Sequence, residues 1–166
     1  SSPRTGTLTI ANKTFMVDQA GSSSVTPGQY QWADAADAGT GATRRVAMYP
    51  SGDVVIAGTF ENALMNFGNG PLPYSGGKDV FLVKYDSRGN LIWTHSFGAD
   101  FDDGVGGVAI DSAGDIIITG TFCRSVNFGD GKILDSTTNT SDSCADIYVA
   151  KYSPGMPETE ESFQLA

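Results

Sequence analysis

The chain has one histidine, two cysteines, and ten Lys or Arg against nineteen Asp or Glu. A single histidine, His95, excludes a histidine metal cluster and leaves any serine or cysteine triad only one base to use. Cys123 and Cys144 are too few for a zinc site and form no Cys-x-x-Cys pair. The net charge is −9, and no basic run exceeds Arg44-Arg45. The footprint that displaces counterions from nucleic acid is therefore missing, and no nucleic acid partner is expected. The acidity reads as solubility. No apolar run approaches the ~20 residues that cross a membrane, so no membrane span is expected. The opening Ser1-Ser2-Pro3-Arg4 also lacks the basic and then apolar profile of a signal peptide. No cofactor and no catalytic residue is expected.

What the chain does have is glycine, 21 of 166 residues, with nine Phe and six Tyr; average glycine usage is roughly 7%. Many short strands joined by tight turns fit that composition. The main signal is an internal repeat. Val46 to Phe60 (VAMYPSGDVVIAGTF) realigns on Val108 to Phe122 (VAIDSAGDIIITGTF) at an offset of 108 − 46 = 62, with eight of fifteen positions identical. Asn66 to Gly70 (NFGNG) matches Asn127 to Gly131 (NFGDG), Asp79 to Tyr85 (DVFLVKY) matches Asp146 to Tyr152 (DIYVAKY), and Gln31-Trp32-Ala33 corresponds to Ile92-Trp93-Thr94.

Each unit reads as four strands. Strand a is Arg44–Tyr49, repeated at Gly107–Asp111. Strand b is Asp53–Phe60, repeated at Asp115–Phe122, and strand c is Asp79–Tyr85, repeated at Asp146–Tyr152. Strand d is Asn90–Phe97. The period-2 pattern makes strand c half-buried. Gly52 and Gly114 sit where tight turns need a positive φ, and the small residues of strand b suit a crowded propeller axis. No sustained 3.6-residue period predicts a helix. Four strands per ~60 residues is the arithmetic of a propeller blade, and a duplication four strands at a time argues against a β-sandwich. The fold class is therefore all-β, with four-stranded antiparallel blades in a partial propeller or one completed by oligomerisation.

The run GD-IIITGTF…NFGDG…DIYVAKY, with DSRGN-LIWTHSFG, resembles the bacterial SBBP-type β-propeller repeat over about Gln29 to Tyr152. Two features depart from it. Between Asn127 and Asp146 the second unit is longer than the first by (146 − 127) − (79 − 66) = 6 residues, and SPGMPETEESFQLA replaces the turn and Trp-containing strand after Tyr152. Arg4 to Gly21 (RTGTLTIANKTFMVDQAG), a hairpin of Thr7–Ala11 and Thr14–Gln19, resembles the closing hairpin of a BACON-type immunoglobulin-like domain. The expected organisation is a BACON-like hairpin at 1–21, a linker at 22–28, and two blades at 29–166. The resemblance implies a secreted or cell-surface bacterial protein without assigned catalytic residues, and a glycan or surface partner by analogy.

An unpaired strand d at Gln29–Asp34 would complete the last a-b-c set across a circle. Two blades do not close a propeller, which needs 4 to 8. The chain is either a piece of a longer repeat array or one copy of a symmetric assembly, so its expected partners are neighbouring repeats or copies of itself. Cys123 and Cys144 flank a polar loop. A disulfide pinning that loop is expected over two free thiols, and it would imply an oxidising compartment. His95 is expected to be structural or solvent-exposed. The acidic loop Asp100-Phe101-Asp102-Asp103-Gly104 lacks EF-hand spacing and is expected to be solvated rather than cation-binding. Trp32 and Trp93 are expected between blades rather than stacked on sugars. Asn12-Lys13-Thr14 and Asn139-Thr140-Ser141 fit the short N-glycosylation pattern. The function expected is a non-catalytic extracellular structural, adhesive or binding module, with an accessory segment of a larger secreted hydrolase as the alternative.

Overall fold

The computed structural model describes residues 4–10, 13–19, 31–35, 44–128, 133–136, 146–155 and 163–164. The chain divides into two units, Ser1–Ala35 and Ala36–Ala166. In the first, β1 (Arg4–Ile10) and β2 (Lys13–Gln19) form an antiparallel hairpin, from Arg4↔Gln19 to Ile10↔Lys13. Residues 31–35 form no strand, which corrects the strand expected at Gln29–Asp34; residues 29 and 30 lie outside the described residues. Asp34 Oδ1 accepts the N–H of Ala35 at 2.7 Å, a local side-chain bond that competes with ladder pairing.

The second unit holds two four-stranded antiparallel sheets. The first runs β3 (Arg44–Met48), β4 (Val54–Phe60), β5 (Asp79–Tyr85), β6 (Leu91–Phe97), each paired with the next in the chain. The second places β7 (Gly104–Ile110) beside β8 (Ile116–Phe122), β8 beside β11 (Asp146–Tyr152), and β11 beside β12 (Phe163–Gln164). These are two blades in separate sheets, and the described residues contain no helix. The second blade gains a two-residue fourth strand, with Tyr152↔Phe163 and Lys151↔Gln164, where an incomplete a-b-c set was expected. The lengthened b–c connection also carries a small pairing of its own, β9 (Ser125–Asn127) with β10 (Ile133–Asp135).

Three hairpins share one turn design. Gly52, Gly89 and Gly114 take φ of 90°, 83° and 88°, as the turns require. Their N–H groups donate to Tyr49, Asp86 and Asp111 carbonyls at 2.9, 2.9 and 3.0 Å. Asp111 Oδ1 also accepts the N–H of Ala113 and of Asp115 at 2.8 and 2.9 Å. Lys84 reaches Asp53 at 3.8 Å, and its repeat counterpart Lys151 reaches Asp111 and Asp115 at 2.8 Å each. Hence each b–c strand pair is tied to the turn that precedes it.

The core lies between the blades. Val55, Ala57, Val80, Leu82, Trp93 and Phe97 of the first blade meet Ile116, Ile118, Phe122, Tyr148, Ala150 and Tyr152 of the second. Period-2 side chains explain the choice, because cross-strand pairs such as Ala57↔Leu82 and Ile118↔Ala150 share a face. Strand β5 is buried at all seven positions, against the half-buried expectation. Part of its second face is roofed by the b–c connection: Phe67 lies 5.2 Å from the Phe81 ring, and Met65 and Leu72 are buried there. β11, its counterpart, alternates as expected.

Candidate functional site

Where the first blade ends and the second begins, the chain brings two carboxyl groups together. Asp79 opens β5 and is 1% exposed; Asp103 immediately precedes β7 and is 2% exposed. Asp79 Oδ2 accepts the N–H of Ser75 at 2.5 Å, Asp103 Oδ2 accepts that of Ala99 at 2.9 Å, and the Asp103 N–H donates to Lys78 O at 2.6 Å. Gly98 lies against both carboxyls. A Cβ there would overlap Asp79 Oδ1 and come 2.9 Å from Asp103 Oδ2, so only glycine admits the pair. The Oδ1 of each aspartate has no hydrogen-bond partner.

Burial disfavours charge on both groups. The Asp79 carboxyl is pushed up from 3.8 to about 6 by burial, against the N–H bonds of Ser75 and Gly76. Asp103 is pushed up to about 7, first by burial and then, despite the Ala99 bond, by repulsion from Asp79. Both carboxyls therefore take up a proton closer to neutrality than an exposed aspartate does. Tyr148 packs beside them, its hydroxyl donating to Gly104 O at 2.9 Å, and burial, then the Asp103 charge, pushes its pKa above that of an ordinary tyrosine. Lys78 pairs outward, with Asp102 at 3.6 Å.

The acidic loop therefore splits: Asp100 is exposed, Asp102 reaches Lys78, and Asp103 turns inward. Among the described residues no group of three or more His, Cys, Asp or Glu could hold a metal ion. His95 lies partly buried at the same junction. Its Nε2 is 3.1 Å from Phe128 O, its ring is 5.4 Å from Tyr152 in an edge contact, and burial lowers its pKa against that bond. Trp93 is in the core at 5% exposure, whereas Trp32 is half-buried. Cys123 is buried at the end of β8 and is not a free thiol. Cys144, like Asn12 and Asn139, lies outside the described residues. The Asp79–Asp103 pair escaped the sequence reading because its members are 103 − 79 = 24 residues apart and in different repeats. The available signal was a strand that opens on aspartate and then runs apolar and aromatic from Val80 to Val83.

No family model matches the chain. Over 87 residues it is 32% identical to an uncharacterised WD repeat-containing protein of Acanthamoeba polyphaga mimivirus, covering 48% of this chain and 6% of that protein. The chain thus spans a small fraction of the curated relative it matches. The fold is a partial β-propeller. With the two repeated blades, this likeness supports a repeat-based binding or structural module.

Proposed function

We propose that this module is non-catalytic, extracellular or cell-surface, built of SBBP-type blades with a BACON-like hairpin, and that it serves adhesion or attachment with a glycan as its ligand class. The observation that carries the non-catalytic reading is where the reactive groups sit. His95, Asp79 and Asp103 are all placed at the blade–blade junction, and the bonds they make are to backbone groups of the chain itself. His95 bridges the two blades, and the two aspartates are turned into their own loops, instead of facing a substrate. The extracellular reading rests on the resemblance and on the proposed Cys123–Cys144 disulfide, which suits an oxidising compartment.

A turnover screen over glycans, peptides and esters is expected to give no activity; activity lost on His95→Ala or Asp102→Asn would overturn the proposal. A glycan array is expected to give binding that survives both substitutions. Alkylation of the denatured chain without reductant is expected to label neither cysteine, and labelling of both would remove the disulfide.

A further inference from the structure

We infer that the two exposed sheet faces of the C-terminal unit are complementary halves of one interface, and that each takes the opposite face of a second copy of this chain, head to tail. The inference rests on the repeat-module reading and specifies its partner. The mould is the junction already inside the chain. There, β7 lies against β3, β4 and β5. Its Val108 and Ile110 pack on the core, where Val80 and Leu82 of β5 are fully buried.

Shift each half by one repeat. Val108 and Ile110 become Val46 and Met48, at 108 − 46 = 62 and 110 − 48 = 62. Val80 and Leu82 become Ile147 and Val149, at 147 − 80 = 67 and 149 − 82 = 67. The aliphatic character persists, but the surroundings are reversed. Val46 and Met48 are 67% and 69% exposed, and Ile147 and Val149 are 75% and 62% exposed. Four aliphatic side chains on β3 and β11, each matching a position that the same chain packs against a blade, form two apolar patches awaiting the same kind of neighbour.

The faces differ, so the contact is heterologous. The Val46–Met48 strand of one copy would lie across β7, β8 and β11 of the next, as β7 lies across the first blade. One contact has no counterpart: Arg45 Nε donates to Gly106 O at 2.9 Å within the chain, whereas position 107, the repeat equivalent of Arg45, is glycine. The contact between copies would therefore be weaker than the junction within one. Since propellers close with 4 to 8 blades, the expected species is a ring of about two to four copies.

Sedimentation equilibrium of the full chain at micromolar concentration tests this. A discrete oligomer of the 17.4 kDa chain is expected. The pairs Val46→Lys/Met48→Lys and Ile147→Lys/Val149→Lys should each give a monomer, and an equimolar mixture should give a dimer, because each variant keeps one intact face. Circular dichroism checks folding. Should a lysine pair fail to fold, Ile147→Thr/Val149→Thr keeps the β-branched backbone preference and should weaken assembly at least tenfold. A wild-type monomer at tens of micromolar, assembly that survives either pair, or a mixture that stays monomeric would overturn the inference. The assay needs no ligand, so a blank glycan array leaves its outcome untouched.

Discussion

Asp103 and Asp79 face a problem that neither solves alone: each is almost wholly buried, and each keeps one oxygen without a partner. A proton on either carboxyl removes one of two buried like charges. Their folded pKa values, about 7 and about 6, lie above the ordinary 3.8. Such groups contribute stability that is complete below 3.8 and lost as pH rises through 6 and 7. His95 works the other way. Its lowered pKa means that the folded state disfavours the proton, so its contribution falls as pH drops through the ordinary 6.5. Comparing variants isolates the carboxyls. Asp103→Asn removes one titration and offers an N–H₂ that could reach the free oxygen of Asp79, while His95 is unchanged. Urea unfolding at pH 5 and pH 8 should show the variant gaining on wild type with rising pH, by on the order of a few kcal/mol. A difference that is equal at both pH values would show that the pair does not hold a proton.

At the scale of the element, one small residue of strand b, Gly120, clears space for a side chain of the neighbouring strand. Gly120 pairs with Tyr148 across the β8–β11 ladder. A Cβ at Gly120 would overlap Gly104 O and fall 2.5 Å from the Tyr148 hydroxyl. The glycine clears the path along which the tyrosine reaches Gly104 O. The first blade repeats the register with Gly58↔Phe81. Gly120→Ala is expected to cost on the order of 1–3 kcal/mol by overpacking. Thr119→Ala, on the exposed face next to it, should stay within about 0.5 kcal/mol, and equal costs in urea titrations would refute the clearance argument. Strands such as β4 and β8 were legible because period-2 apolar residues and a positive-φ glycine are local signals. The two-residue β12 and the β9–β10 pairing were not. Their sequences carry no alternation of any length, and the β12 partner is fixed by the exposed edge of β11. Full burial of β5 was hidden for the same reason: its cover comes from Met65, Phe67 and Leu72, which lie in a loop. The site was the least legible, since Asp79 and Gly98 meet at the end of the β5–β6 ladder and Asp103 joins them only where the chain turns into the second blade.

For the whole molecule, the decisive fact is that one core serves both blades. The main buried cluster takes side chains from both sheets, while the first blade adds a smaller one of its own where Phe60 and Phe67 meet Phe81. Repeat proteins divide their stability between intrinsic and interface terms, and here the larger buried cluster lies at the interface. Phe97 sits at its middle. The ring lies 5.0 Å from Phe128, 5.7 Å from Tyr148 and 6.2 Å from Tyr152, and the residue is 4% exposed. Although Phe97 belongs to the first blade, these three rings belong to the second. Phe97→Ala is therefore expected to cost about 3–5 kcal/mol, a large share of the roughly 5–15 kcal/mol that holds a domain together. It should do so without separating the blades. In a Trp32→Phe background, Trp93 fluorescence reports the first blade, while far-UV circular dichroism reports both. The two probes should give coincident urea transitions in wild type and in the variant, with the variant midpoint shifted down. If Trp93 unfolds while half of the strand signal persists, the blades are separate folding units, and the shared core is a docking surface between two independent sheets.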